Sequence, residues 1–248
     1  MTKLERLEEN IEDLLIIDIS DITALVIRDG YDDYSYTHKS IQEYFAAVFI
    51  NRLPEERKCA FYSMIIFKPY EFSKWQNSLA FLETLDQRNY LKYFLIPFKK
   101  NLLKLTENND VKMTYNQVIQ LLGEDSRVLV SEDGYVLDLY WGDTIASALY
   151  KEYSSFAKSK TRCYLDSIRT GICDVICFSI NQDYEDYLTG NGDFLIPLDH
   201  IIEYSNHKKS LAIYISNSFE NSRFKQEVLA LEEELLLADA YTSEILPF

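Results

Sequence analysis

Residues 34–50 read YSYTHKSIQEYFAAVFI. Tyr34 and Tyr36 alternate with Ser35 and Thr37, the period of a short strand. Upstream, residues 24–27 are apolar and partly β-branched and run into Arg28, Asp29 and Gly30. Asp-Gly is a turn signal, so the spacing predicts a hairpin over 25–36 with its loop at 29–33. Ser40 stands three residues before Glu43, the spacing of a capping box, which predicts a helix start there. Ile41, Tyr44, Phe45, Val48 and Phe49 then recur at i, i+3, i+4, i+7 and i+8, one apolar stripe expected to pack or dock. Ala46 and Ala47 allow close packing beside it, and Pro54 marks the end. His38 falls in the link between hairpin and helix, where its ring can meet a local partner or a ligand.

Working outward, the remaining periodicities are mainly helical. Leu4, Leu7, Ile11, Leu14 and Leu15 form one stripe. Residues 55–66 read as a helix with Phe61, Met64 and Ile65 inside, and Ser73 or Ser78 can begin the next. Residues 90–105 read as a helix that Pro97 must kink or divide. Residues 114–122 read as a helix ended by Gly123. Residues 127–130 and 135–140 predict a second hairpin with Asp133 and Gly134 in its turn. Residues 144–157 return to helical spacing through Ile145, Leu149 and Tyr153. Residues 175–180 and 211–215 fit either strand or buried helix. Residues 219–240 read as one long helix through Phe224, Val228, Leu231 and Leu235. The expected class is mainly α with small β hairpins (α+β), and no repeat of solenoid length occurs.

Composition and charge exclude several functions. Hydrophobic residues make up 47% of the chain and charged residues 26%, which fits a folded globular protein. Four cysteines in 248 residues do not make a disulfide scaffold. Cys173 and Cys177 share a helical face among apolar neighbours, which reads as buried thiols. His38, His200 and His207 lie in no metal-ligand spacing, so neither a metal nor a cofactor is expected. No leader pattern or membrane-length apolar run occurs, so the expected compartment is the cytoplasm, with no membrane partner. The acids at Asp183, Glu185, Asp186 and Asp193 lack EF-hand spacing. No nucleophile motif is present, and an enzyme is not expected. The 19 tyrosines serve either an aromatic core or a recognition surface.

The run Tyr36, His38, Ser40, Ile41, Gln42, Glu43, Tyr44, Phe45, Ala46, Ala47, set after a hairpin, resembles the end of the winged-helix module of NACHT-type STAND NTPases. Ile41 departs mildly from the aromatic common there. The resemblance covers about residues 20–55. It implies a partial winged-helix module over 1–55, with Met1 falling inside it, and a C-terminal sensor or regulatory domain over 56–248. It also implies that His38 contacts the β-phosphate of bound ADP, with a nucleotide-binding domain supplied by a partner or by a missing segment. A P-loop needs Gly followed by Lys, and none of the seven glycines is followed by lysine.

The expected function is therefore a non-catalytic regulatory or sensor region whose partner is a P-loop NACHT ATPase domain, in cis or in trans. In bacteria the resemblance implies antiphage defence, with a phage or host protein as trigger. The alternative is a free-standing truncated relative that inhibits or tunes a full-length ATPase. A winged helix invites DNA, but 25 basic residues against 40 acidic ones argue against nucleic acid, whose binding draws on Lys and Arg.

Overall fold

Strand pairing begins where the alternation predicts it. β1 (Val26–Arg28) and β2 (Tyr34–Tyr36) pair antiparallel, Val26 opposite Tyr36 and Arg28 opposite Tyr34. A computed structural model of the chain describes residues 26–28, 34–36, 38–68, 72–142, 148–182, 187–189 and 192–245. The stripe expected at Leu4, Leu7, Ile11, Leu14 and Leu15, the loop at 29–33, the helix start at Thr144 and Ile145, and the acids Asp183, Glu185 and Asp186 lie outside these residues. Of the described residues 71% are helical, beside one two-stranded and one three-stranded sheet. This is the mainly α, α+β class expected from the sequence.

α1 (Lys39–Asn51), α2 (Glu55–Phe67), α3 (Phe72–Leu85) and α4 (Gln87–Tyr90) follow the hairpin. Internal contacts divide the described chain into two units. One holds the residues up to Met64 together with Lys74–Tyr90, and the other holds Ile65–Ser73 and the residues from Leu91 onward. In the first unit Tyr62 is fully buried, its ring 6.4 Å from that of Tyr90. Phe61, expected inside, is half-buried and meets Trp75 edge-on at 5.0 Å. Leu79 and Leu82 of α3 are buried in the same unit.

In the second unit, the helix expected over 90–105 is divided as Pro97 demands. A wide π-helical turn (Leu91–Leu95) precedes α5 (Ile96–Leu103), which carries Pro97 in its first turn. Proline has no N–H to give, and the widened turn accommodates the lost bond. Phe72, Phe94 and Phe98 stack there with centroids 5.5–6.0 Å apart. α6 (Tyr115–Leu122) starts at Thr114, whose hydroxyl accepts from the Gln117 N–H while the Thr114 N–H donates to Gln117 Oε1. That capping box satisfies two amides that would otherwise lack partners.

β3 (Arg127–Val130) and β4 (Val136–Tyr140) form the second expected hairpin. β5 (Phe194–Pro197), which the sequence did not announce, pairs antiparallel with the other side of β3. The order β4-β3-β5 places Val128 and Val130 in the central strand. Both are fully buried, with Phe194 and Ile196 of β5.

The remaining helices are α7 (Ala148–Ser167), α8 (Arg169–Gln182), α9 (Leu198–Tyr204), α10 (Lys208–Glu220) and α11 (Arg223–Ile245). The segments 175–180 and 211–215 are thus helical. The single helix expected over 219–240 is a correction, because the chain breaks at Asn221 and Ser222. The Asn221 amide donates to the Asn217 carbonyl and the Ser222 hydroxyl to the Phe219 carbonyl, so side chains compete with the helical ladder. The break lets Phe219 and Phe224 both lie on Tyr153, at 6.1 and 4.5 Å.

One close backbone approach fixes the loop after α6. Gly123 has φ +100°, and a Cβ there would stand 2.3 Å from the Gly142 carbonyl oxygen. The buried Ser126 hydroxyl donates to the Gly123 carbonyl at 2.7 Å and accepts from the Gly142 N–H at 3.0 Å. Gly123→Ala combines a positive φ with a backbone clash and should cost about 2–4 kcal/mol in a chemical denaturation series.

A second tie is ionic. Glu220 accepts from the Val111 N–H at 2.8 Å and pairs with Lys225. The Lys225 hydrogen bond, and then the Val111 amide, hold its carboxyl below the usual range. Such a group stabilises the fold above its unfolded pKa, and the contribution is lost as pH falls through the lower folded value. Glu220→Gln should therefore lower the melting temperature at about pH 7, and the gap to the wild type should close toward about pH 3.

Candidate functional site

α1 begins two residues earlier than its sequence spacing predicts, at Lys39 rather than after a Ser40 cap. His38 is the N-cap, with φ −127° and ψ 128°, and its ring makes no capping bond. Its carbonyl accepts from the Ile41 N–H at 3.0 Å. Ser40 lies inside the first turn, so the capping box expected from Ser40 and Glu43 does not form. Glu43 is engaged elsewhere. Its carboxylate accepts from the Asn77 amide at 2.9 Å, and its carbonyl accepts from the Ser78 hydroxyl at 3.1 Å. Lys39, four residues back, approaches the carboxylate at 3.7 Å.

This arrangement sets the rotation of α1. Its buried residues are Glu43, Ala47 and Ile50. The stripe read from the sequence lies away from them. Tyr44 is 41% exposed, Phe45 46% and Phe49 66%, while Ile41 and Val48 are half-buried. Rings connect along that outer side. Tyr36 stacks with Phe45 at 6.1 Å, Phe45 meets Tyr44 at 5.7 Å, and Tyr44 meets Phe81 edge-on at 5.4 Å. His38 is exposed at the N-terminal end of the same helix.

Chemically, an exposed imidazole can donate to a phosphate oxygen or a carboxylate, and linked aromatic rings offer a large apolar contact area. Among the described residues no group of His, Cys, Asp and Glu is placed to hold a metal ion. No described helix is long and apolar enough to cross a membrane. Cys173, expected as a buried thiol, is half-buried and donates to the Asp133 carbonyl at 3.2 Å.

The base of this unit rests on a residue that sequence spacing missed. The Lys58 ammonium is buried, lies 2.8 Å from Asp86 and donates to the Asn51 side chain at 3.2 Å. The side chains of Lys58 and Asp86 are 8% and 9% exposed. The Asn89 amide donates to the other Asp86 oxygen at 2.9 Å. One cation therefore ties the end of α1, the start of α2 and the link after α3. Its only sequence signal is a lysine in the first turn of a helix, which reads as surface. Removing one partner of a buried pair strands the other charge. Lys58→Met should cost about 3 kcal/mol in urea unfolding, and Lys58→Met with Asp86→Leu should recover part of that loss.

With this geometry established, comparison with known proteins places the chain. No curated protein and no solved structure matches it. A family model described as "Short NACHT-associated C-Terminal domain, family 11" matches residues 85–248. The matched span begins at the end of α3, downstream of the hairpin and of α1, and takes in the three-stranded sheet and α5 to α11. A match over more than half the chain shows the family: this chain belongs to the short NACHT-associated C-terminal domains, family 11.

Proposed function

We propose that the chain is the sensor or regulatory region of a NACHT-type STAND ATPase and acts in bacterial antiphage defence. The single observation that carries this reading is order along the chain. A hairpin, His38 and a Ser40–Ala47 run that resembles a winged-helix end come first, and a NACHT-associated C-terminal domain follows over 85–248. In this reading His38 donates to the β-phosphate of ADP held by the NACHT domain and helps keep the closed state. The outer side of α1, with Tyr44, Phe45 and Phe49, docks on that domain. A phage or host protein is the trigger.

The exposure of the aromatic run supports docking, since contiguous apolar surface on a soluble domain marks interaction sites. It also accommodates a partner supplied in trans, where the chain would inhibit or tune a full-length ATPase. Both connectivities use the same residues.

The test uses the chain joined to, or mixed with, its P-loop NACHT domain. Loss of a charge-assisted bond to phosphate should speed release of a fluorescent ADP analogue about tenfold in His38→Ala. Unchanged release overturns the phosphate contact. Phe45→Asp should abolish NACHT binding while leaving the melting temperature of the chain unchanged, because the ring is already half exposed. Retained binding overturns the docking face, and activation without phage, read as slowed growth of uninfected cells, is the expected cellular result for His38→Ala.

A further inference from the structure

The break between α10 and α11 opens a groove of about 580 Å³ beside α7. It continues along α7 past Phe156, Arg223 and Phe224 toward Lys151 and Glu152. The floor is aromatic: the rings of Phe156 and Phe224 lie 5.4 Å apart, edge to face. Cations stand over both rings. Lys160 Nζ is 5.3 Å from the Phe156 centroid and the Arg223 guanidinium 5.2 Å from that of Phe224.

The charge of this groove runs against the molecule. The whole chain carries −15, yet the lining holds Lys151, Lys160 and Arg223 against Glu152 alone. Arg223 approaches Glu152 only at 3.7 Å, with both side chains mostly exposed. In a chain where acids outnumber bases 40 to 25, no described acid pairs with Lys151 or Lys160. Lys160, which stands over the Phe156 ring with no described acid paired to it, attracts an anion more strongly than the same charge in open water. The third feature is amide chemistry. Asn217 and Asn221 line the same groove one helical turn apart, and carboxamides match the alternating donors and acceptors of a peptide backbone.

We infer that this groove binds a short acidic peptide segment carrying an aromatic side chain. The aromatic residue fills the groove beside Phe156, between the two cations, flanking carboxylates meet Lys160 and Arg223, and the Asn217 and Asn221 amides hold the backbone. The volume suits a ligand of a few residues. An extended nucleic acid fits less well, because a continuous polyanion running past the groove must lie along a chain whose net charge is −15. The inference goes beyond the NACHT reading and does not depend on it, since none of these residues belongs to the α1 face.

The test is fluorescence anisotropy of the full chain with a labelled hexapeptide pool. The pool has phenylalanine fixed between two acidic residues and random flanks. The controls are the same pool with Asn and Gln replacing the acids, and a single-stranded oligonucleotide of similar length. The acidic pool should bind at least about tenfold tighter than its amide counterpart and weaken as salt rises. The double variant Lys160→Glu, Arg223→Glu should lose about tenfold or more while keeping the wild-type melting temperature. If that variant unfolds, Lys160→Gln alone serves, with a smaller loss expected. Equal binding of the two pools, absence of binding by either, preference for the oligonucleotide, or full binding by a folded groove variant overturns the proposal.

Discussion

The first unit depends on a carboxylate turned inward. Burying Glu43 is unfavourable unless its oxygens find donors, and α3 supplies them through Asn77, with Ser78 holding the adjacent carbonyl. Once those bonds form, α1 cannot rotate. Residues on a helix advance ~100° each, so Ala47 and Ile50 follow Glu43 inward, and Phe45 and Phe49 fall roughly on the opposite side. The same constraint that completes the interior of this unit therefore delivers the aromatic run to the surface. A motif usually read as a helix signature acts here as a rotational lock.

The Lys58 ammonium does comparable work at the other end of α1. It reaches Asn51 and Asp86 together, and Tyr62 beside it is fully buried. Asp86 is among the causes that push the Tyr62 hydroxyl well above its ordinary pKa, after burial itself. Polar side chains thus set the geometry of this unit, and apolar packing fills it.

Local signals in the sequence were legible where a feature closes within a few residues. The helix before Gly123 and its stop there, the division forced by Pro97 and both hairpins follow from neighbouring residue types. What the sequence hid depends on partners far along the chain. β5 lacks an alternation of its own and becomes a strand because β3 offers a free side. The Asn221 break pits two short polar side chains against an otherwise continuous helical pattern, and the rings of Tyr153 and Phe156 reward the bend. Ser40 and Glu43 match a capping box, yet Asn77, 34 residues further on, claims the glutamate. The aromatic stripe was visible as a pattern, but its direction was not, because hydrophobic periodicity does not say which of two faces has a polar tether. The groove at the α10–α11 break was invisible for the same reason as the break itself.

Thiol labelling tests the central claim, an inward Glu43 face and an outward aromatic face on α1. In a background with the native cysteines replaced by serine, Phe49→Cys should react with a maleimide almost as fast as a free peptide in the isolated chain. It should become protected when the NACHT domain is added. Ala47→Cys should stay protected in both states. A protected position 49 in the isolated chain would contradict the assigned rotation, and a position 49 that stays reactive in the complex would contradict the docking face.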